Sequence, residues 1–352
     1  MQQMFTPYNS PQLQLSNRLV MAPMTRSRAH ADGCATDSMA TYYGQRASVG
    51  LVIAEGTQPS DVGQGYVTTP GIYTDAHVAS WKPVADAVHA QGSRLFIQLM
   101  HAGRMSHPDN VLGHLHAIAP SAIAPKEQIH TANGRKDIPV PREMTEQDIA
   151  QAIEDFRTAA RQAIKAGADG VEIHGANGYL LQQFLAPNSN QRTDVYGGSL
   201  ENRARFVIEV AQAVVQEIGP QRTGIRLSPG ANIAGIDEGP EGPDLYRYLV
   251  TELNKLGLAY LHIMHWGNEA LLPELRKLWS HTLILNRPSR PREAIGSDVT
   301  AGLADLESYG SMILANPDFV ARLKADAPMN VPDPSAFFGG TDKGYTDYPA
   351  MG

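Results

Sequence analysis

Cysteine is nearly absent from this sequence, since Cys34 is the single one among 352 residues. One thiol excludes a disulfide within the chain and a zinc site built from several cysteines, and it suits a reducing cytosol. The sequence also lacks any apolar run near the ~18 residues of a membrane span. Its first residues have neither the basic nor the apolar segment of a secretion signal. We therefore expect a cytoplasmic protein without a membrane partner.

Basic residues are outnumbered, because 29 lysines and arginines face 36 aspartates and glutamates and leave a formal net charge of −7. No lysine or arginine block is present, so no nucleic-acid partner is expected. Hydrophobic residues make up 42% of the chain, which allows a large core and excludes a disordered protein. A small-molecule partner is expected, and the composition leaves open whether the protein is a monomer or a homodimer.

Short apolar runs alternate with longer amphipathic ones, as in repeated βα units. Seven runs are predicted to be strands: Arg18–Met24, Gly50–Ala54, Arg94–Leu99, Gly170–His174, Gly224–Leu227, Ala259–Ile263 and Thr282–Leu285. Six helices are predicted between them: Asp37–Ser48, Asp75–Gln91, Thr145–Ala166, Leu200–Ile218, Pro243–Lys255 and Glu269–Trp279. An eighth strand would close a barrel, and its one candidate, Ala304–Tyr309, is too polar to be assigned from pattern alone.

The predicted fold is α/β: a single (β/α)8 TIM-barrel domain over residues 1–352, with an open doubly wound sheet as the alternative. No dinucleotide-binding glycine fingerprint follows the first strand, which favours the barrel. Residues 103–142, after the third strand, are rich in Pro, His and Gly and weakly periodic. A loop of this length predicts a lid or capping subdomain. The Pro- and Gly-rich tail after Asp326 is expected to pack across the barrel.

Polar residues recur at the C-terminal ends of the predicted strands, where TIM barrels carry their active sites. Thr25 and Gly56 follow the first two strands, Gln98 lies near the end of the third, His174 ends the fourth and Arg226 lies within the fifth. A single buried Gln or Arg is as often structural as functional. The hypothesis of an active site therefore depends on the coincidence of all five positions.

The segment from His174 to Tyr179, HGANGY, carries the most chemistry. His174 and Asn177 offer two neutral donors to one carbonyl oxygen, and so can stabilise the negative charge that develops when a nucleophile adds to a conjugated alkene. The phenol of Tyr179 can protonate the resulting carbanion. The alternative is a structural histidine; a metal site is not expected, because no carboxylate or second histidine lies at ligand spacing. These residues do not name a cofactor.

The segment 189–206, SNQRTDVYGGSLENRARF, resembles the signature of the Old Yellow Enzyme family. Similar stretches are NRLVMAPMTRSRA at 17–29, GADGVEIHGANGYLLQQFL at 167–185 and GYTDYP near the C-terminus, and the resemblance spans about Thr6 to Pro349. It implies a TIM-barrel ene-reductase of the family's classical branch. In such an enzyme NADPH or NADH reduces non-covalently bound FMN, which then reduces the activated C=C bond of an enone, enal, maleimide or nitroalkene.

Carried over position by position, the resemblance implies two sets of site residues. The flavin contacts match Pro23, Met24, Thr25, Gly56, Gln98 and Arg226. The substrate contacts match Met100, His174, Asn177, Tyr179 and Tyr345. Within the second set, His174 and Asn177 would bind the carbonyl or nitro oxygen of the substrate, and Tyr179 would be the proton donor. Met100 stands where the family usually has Trp, which predicts a wider pocket.

The phosphate end departs from the family pattern. A glycine-rich loop after the seventh strand and a Gly-Arg pair after the eighth bind the FMN phosphate in the family, whereas this chain has NRPSR at 286–290 and Gly310-Ser311. Pro288 lacks an N–H, and Ser311 lacks the guanidinium that would bind phosphate in a bidentate manner. We expect Gly310 to keep its place and Arg287 or Arg290 to compensate; the alternative is that both arginines are solvated.

Two competing functions follow from these departures and from the fold. A family member with weak or lost FMN binding would act as a non-redox isomerase or lyase, or as a ligand-binding protein. A TIM-barrel aldolase would need a Schiff-base lysine at a strand end, and none of the predicted strand ends carries one.

Overall fold

Eight parallel strands close into a barrel in the computed structural model of the chain, which describes residues 1–267 and 269–351. The strands are Leu19–Met21 (β1), Leu51–Thr57 (β2), Arg94–Leu99 (β3), Gly170–Gly175 (β4), Thr223–Leu227 (β5), Tyr260–Met264 (β6), Thr282–Asn286 (β7) and Leu306–Tyr309 (β8). Each pairs with the next, and β8 pairs with β1. The predicted TIM barrel is confirmed, and the open sheet is excluded.

Helices between the strands cover the outside of the barrel. They are Asp37–Arg46 (α1), Asp75–His89 (α2), Glu146–Lys165 (α3), Leu180–Leu185 (α4), Leu200–Ile218 (α5), Gly242–Asn254 (α6), Leu271–Leu278 (α7), Ser297–Thr300 (α8), Ser311–Ala315 (α9) and Phe319–Lys324 (α10). The N-terminus of α3 has the capping box expected from its sequence, since Thr145 and Asp148 each accept a backbone N–H of the other. All six predicted helices are therefore present, with bounds that differ by a few residues.

The eighth strand shows why its sequence was ambiguous. Glu307 and Ser308 of β8 are 1% and 2% exposed, so polar side chains occupy strand positions that are usually apolar. The Glu307 carboxylate accepts the backbone N–H groups of Gly296 and Asp298, each at 2.8 Å. Burial of the carboxylate is tolerated because these bonds replace its hydration. Hydrophobic periodicity cannot detect a strand of this kind.

The first strand is shorter than predicted. It ends at Met21 rather than Met24, and Pro23 and Met24 leave the strand and become part of a cavity wall. At the opposite end of the barrel, the antiparallel pair Tyr8–Asn9 and Gln14–Leu15 closes the bottom. Tyr8 Oη lies 2.9 Å from Oγ1 of Thr282, the first residue of β7. The cavity and this closure therefore lie at opposite ends of the barrel.

Residues 103–142 form a compact segment with little regular structure. It contains two short 3-10 turns, Pro108–Asn110 and Leu112–His114, and the antiparallel hairpin Gln128–Thr131 with Gly134–Asp137. A short strand, Ile118–Ala119, pairs with Arg142–Glu143. Ile129 of the hairpin contributes to the cavity wall, so the segment lies at the mouth of the barrel. Its action as a lid stays a prediction.

Candidate active site

A cavity of about 760 Å³ opens at the C-terminal end of the barrel, the end at which TIM-barrel enzymes bind their substrates. The strand ends supply Pro23, Met24, Thr25, Gln98, Met100 and His174. Asn177 and Tyr179 follow from the β4–α4 loop, Tyr66 from the loop after β2, and Phe337 and Phe338 from the tail. The tail therefore crosses the barrel mouth, as its sequence predicted.

A tight turn after β4 presents three side chains to this cavity. Asn177 has φ 58° and Gly178 has φ 82°, a left-handed pair that reverses the chain directly after the strand. A Cβ at Gly178 would lie 2.5 Å from the Cβ of Ala234, so only glycine fits here. The rings of His174 and Tyr179 are consequently 5.0 Å apart between centroids, and Asn177 lies between them in sequence.

His174 and Asn177 have buried polar atoms that no protein group satisfies among the described residues. These atoms are Nδ1 of His174 and Oδ1 of Asn177. Burial, and then the positive charge of Arg226, lowers the pKa of His174 well below its ordinary value. His174 is therefore neutral at physiological pH. Buried polar atoms without partners are rare in folded proteins and indicate a ligand.

The phenol of Tyr179 is protonated under the same conditions. Burial, and then the neighbouring Tyr66, raises its pKa well above its ordinary value. Its oxygen lies 2.9 Å from that of Tyr66, and Tyr66 was not identified from the sequence. No pattern distinguished Tyr66, because it lies in an irregular loop far from HGANGY in the chain. The pair provides a transferable proton at the cavity and a second hydroxyl beside it.

Arg226 is a buried cation with unused donors. It neighbours His174 across the β4–β5 pairing and is 4% exposed. One nitrogen, Nη2, donates to Oδ1 of Asn286 at 3.1 Å, whereas Nε and Nη1 have no partner within the described residues. Burial lowers its pKa, and the carboxylate of Glu172 opposes this effect. A guanidinium in this state favours an anionic or strongly accepting ligand.

A buried polar network fixes Gln98 inside the barrel. Nε2 of Gln98 donates to Glu172 at 2.8 Å, and the two residues are neighbours in the β3–β4 register. The other carboxylate oxygen of Glu172 lies 2.8 Å from Nδ1 of His262, whose Nε2 lies 2.8 Å from Oγ of Ser308. Sequence reasoning missed these three partners, since apolar neighbours in each strand hide them. The register of neighbouring strands places Glu172 beside Gln98 and His262 beside Arg226, and knowledge of that register would have identified these two partners.

Gly56 gives Met100 its place in the cavity wall. A Cβ at Gly56 would lie 2.5 Å from Sδ of Met100, so the two positions share one space. Met100 itself is 2% exposed and lines the cavity. The sequence predicted that Gly56 lies beside the flavin ring. In the structure, the missing side chain at Gly56 leaves room for the thioether of Met100.

Five predicted site residues do not line the cavity: Gly56, whose space is shared with Met100, Arg226, which neighbours His174, and Tyr345, Arg287 and Gly310. Tyr345 was predicted to line the substrate cavity, but the structure places it elsewhere. Its ring is fully buried, stacks on Tyr42 at 4.1 Å and lies 4.3 Å from the guanidinium carbon of Arg28. It is not among the residues that line the cavity, and its Oη has no partner within the described residues. Arg287 is bound to carboxylates rather than directed into the cavity. Gly310 packs near Met24, and its neighbour Ser311 lines the wall instead.

Neither a metal cluster nor a membrane helix is found in the part of the chain that the structure describes. No group of three or more His, Cys, Asp or Glu side chains there could hold a metal ion. Within residues 1–267 and 269–351, no helix combines the length and apolarity needed to cross a bilayer.

Comparisons with known proteins agree with this geometry. A closed parallel barrel with neutral donors and a phenol at its C-terminal mouth, and a buried guanidinium beside His174, defines a TIM-barrel enzyme. A model of the NADH:flavin oxidoreductase / NADH oxidase family matches residues 3–330. The chain belongs to this family of flavin oxidoreductases, and the resemblance seen in its sequence is confirmed.

The similarity extends over whole chains. 12-Oxophytodienoate reductase 1 from Oryza sativa subsp. japonica is 43% identical over 366 residues, which cover 99% of this chain and 93% of that protein. A probable flavin mononucleotide-dependent alkene reductase from Leishmania infantum is 42% identical over 350 residues, covering 96% of this chain and 94% of that protein.

Solved structures match equally well. Morphinone reductase in complex with tetrahydroNAD has a TM-score of 0.94 at 41% identity and covers 99% of this chain and 98% of that one. The Old Yellow Enzyme homologue from Zymomonas mobilis has a TM-score of 0.95 at 37% identity and covers 99% of both chains. These matches disfavour a non-redox isomerase, lyase or ligand-binding protein.

Proposed function

We propose that this chain is an FMN-dependent ene-reductase that uses NADPH or NADH to reduce alkenes conjugated to a carbonyl or nitro group. The observation that carries the proposal is the convergence of His174, Asn177 and Tyr179 on one cavity. Two neutral side chains that can donate an N–H, His174 and the amide nitrogen of Asn177, stand beside a protonated phenol, and Nδ1 of His174 has no partner among the described residues. This set suits an electrophile that gains negative charge at oxygen and a proton at carbon.

The ring end of the site fits a flavin. Arg226 keeps two buried nitrogens without protein partners, and the amide of Gln98 is held in one orientation by Glu172. Both would hold the polar edge of the ring, with Thr25, Pro23 and Met24 beside it and Gly56 leaving room. When bound, FMN would accept a hydride from the nicotinamide cofactor and pass it to the β-carbon of the alkene.

Side chains of the protein bind the substrate, stabilise the charge that develops on it and supply the proton. His174 and Asn177 bind the carbonyl or nitro oxygen, orient the alkene and stabilise the negative charge that develops on that oxygen. Tyr179 donates its O–H proton to the α-carbon. Because these donors act on the activating group, an alkene without such a group should not react. Met100 and Phe337 supply an apolar wall on which the alkene can pack.

Anaerobic titration tests the proposal. The purified protein should be yellow, lose its flavin absorbance on addition of NADPH, and recover it on addition of cyclohexenone. Tyr179→Phe should slow the recovery by about 100-fold or more while leaving the bleaching unchanged. A colourless protein that binds no added flavin, or a bleached protein that no activated alkene reoxidises, would contradict the proposal.

A further inference from the structure

The loops after β7 and β8 are where TIM barrels commonly bind the phosphate of a ligand. In this chain the first of these loops runs from Arg287 to Pro291 and contains two prolines, Pro288 and Pro291. Proline has no backbone N–H, so two of five positions cannot donate to a phosphate. The loop's cationic groups are therefore its arginine side chains.

Those arginines already have anionic partners. Arg287 donates to both carboxylate oxygens of Asp298, at 3.0 and 3.2 Å, and to Glu269 at 2.7 Å. All three of its nitrogens are thus engaged. Burial disfavours its charge, yet the hydrogen bonds to Asp298 and Glu269 raise the pKa of Arg287 above its ordinary value. The guanidinium is charged but neutralised from within the chain.

Arg290 is held in the same cluster. Its Nη2 lies 2.6 Å from Asp298, and its Nη1 lies 3.3 Å from Glu307. Glu307 is fixed in turn by the N–H groups of Gly296 and Asp298 and by the hydroxyl of Tyr309. Two arginines therefore face three carboxylates, those of Glu269, Asp298 and Glu307. The charges of both arginines are therefore balanced within the chain, and the cluster has no excess positive charge to offer a phosphate.

The loops after β7 and β8 place no substitute cation in the cavity wall. Arg26 is the one arginine or lysine among the described residues that line it. It follows β1 instead, and its Nε and Nη2 donate to the backbone oxygens of Phe337, Ala336 and Gly344, whereas its Nη1 has no partner within the described chain. After β8, the residue at the mouth is Ser311, which is exposed, neutral and part of the wall.

We propose that this chain recognises the ring and ribityl parts of its flavin but gives the terminal phosphate no cationic partner, so that riboflavin and FMN bind with comparable affinity. This inference rests on the proposed flavin function and concerns the selection between flavins. Ser311 is the position that determines the selection, since a cation there would reach the phosphate end of the cavity without breaking the Arg287 and Arg290 ion pairs.

Fluorescence quenching of riboflavin and of FMN, titrated separately with flavin-free protein, tests the inference without any activity assay. The two dissociation constants should agree within about threefold, and their ratio should not change with ionic strength, because no exposed phosphate–cation pair is screened. Ser311→Arg should tighten FMN binding by about tenfold and leave riboflavin binding unchanged. Ser311→Gln, which adds length without charge, should leave both constants unchanged.

A second variant tests whether Asp298 neutralises the charges of Arg287 and Arg290. Asp298→Asn removes the carboxylate shared by Arg287 and Arg290, and it should increase the FMN preference over riboflavin. An FMN preference of about 100-fold in the unmodified protein, lost when Arg287 and Arg290 are both changed to Ala, would overturn the inference but keep the flavin function. Failure of both flavins to bind would instead overturn the proposed function.

Discussion

The phenol oxygens of Tyr66 and Tyr179 lie 2.9 Å apart, with their rings nearly perpendicular at 89°. Tyr66 comes from the loop after β2 and Tyr179 from the turn after β4, so the contact joins two strand ends that are distant in sequence. Burial raises the pKa of both phenols. Tyr179 therefore keeps its proton until a stronger base forms beside it, and we expect the Tyr66 hydroxyl to donate to the oxygen from which that proton leaves.

Tyr66→Phe should slow reoxidation of the reduced protein by cyclohexenone by about tenfold, because Tyr179 loses the hydroxyl that can donate to its oxygen while its own proton leaves. Reduction by NADPH should not change, since it consumes no proton from Tyr179. Stopped-flow measurement of the two half-reactions separates these effects. Phenylalanine keeps the ring against Met105, Ile129 and Ile138, the apolar cluster on which Tyr66 packs.

The double variant Tyr66→Phe/Tyr179→Phe tests whether Tyr66 acts through Tyr179. If Tyr66 acts only through Tyr179, the double variant should be no slower than Tyr179→Phe alone. Additive losses would mean that Tyr66 contacts the substrate independently of Tyr179. If Tyr66→Phe is reoxidised by cyclohexenone at the unmodified rate, Tyr66 does not assist Tyr179.

Gly56→Ala should narrow the cavity through Met100. The added Cβ would lie 2.5 Å from Sδ, so the flexible thioether must move towards the substrate. We expect KM for a bulky enone to rise about tenfold, the cost of one surplus methyl group in a tight pocket, and KM for a small enone to change less. Steady-state kinetics with substrates of graded size measures this difference.

Met100→Ala in the same chain provides the compensating change. Removing the displaced thioether should restore KM of Gly56→Ala for the bulky enone. If the double variant stays impaired, the glycine is required for direct contact with the bound ring rather than for the space of Met100.

Hydrophobic periodicity predicted seven of the eight barrel strands, because each contains a short apolar run. The eighth could not be assigned because Glu307 and Ser308 are polar, and only their bonding partners make them compatible with burial. Site residues at strand ends were predicted because fold alone fixes where those ends meet. Their supporting partners, such as Glu172, depend on strand register, which a single sequence does not specify.

Aromatic residues illustrate the same limit. Tyr179 was found because it belongs to a compact motif, whereas Tyr66 lies in an irregular loop and was missed. Tyr345 was expected in the cavity, but its stacking on Tyr42 draws it into the core. A sequence gives the chemistry of a side chain, and the side of the fold to which it points depends on contacts across the chain.

Glu172→Gln should disturb the orientation of Gln98. The carboxylate accepts from both Gln98 and His262, whereas one glutamine oxygen can accept well from only one of them and the new amide donor opposes the other. We expect the free energy of unfolding to fall by about 1–3 kcal/mol and flavin affinity to weaken. Chemical denaturation and flavin titration measure the two effects.

The exchange variant Gln98→Glu/Glu172→Gln distinguishes the loss of stability from the loss of flavin affinity. Glutamine at 172 would then donate to the new carboxylate at 98 and accept from His262, so every donor again has an acceptor. Stability should return, whereas flavin affinity should stay weak because residue 98 now carries a negative charge at the ring edge. Recovery of both properties would show that Gln98 does not contact the flavin.

Acid sensitivity should arise in part from His101. Burial lowers the pKa of its imidazole to about 4, whereas an exposed histidine titrates near 6.5. Between these values the unfolded chain binds a proton that the folded chain does not, so the free energy of unfolding decreases as pH falls. The contribution of His101 present at neutral pH, about 3 kcal/mol, should be lost by about pH 4.

His101→Asn isolates this contribution. The Asn oxygen can accept the Gly103 N–H that Nδ1 of His101 accepts now, at 3.1 Å, and it does not titrate. Glu55 and Glu238, whose pKa values are raised by burial, act in the opposite direction, but they are common to both proteins and cancel in the comparison. Urea unfolding at about pH 7 and pH 4.5 should give a smaller pH-dependent loss for the variant. Equal losses would mean that folded His101 is protonated with its ordinary pKa, and therefore that the cleft around it admits water.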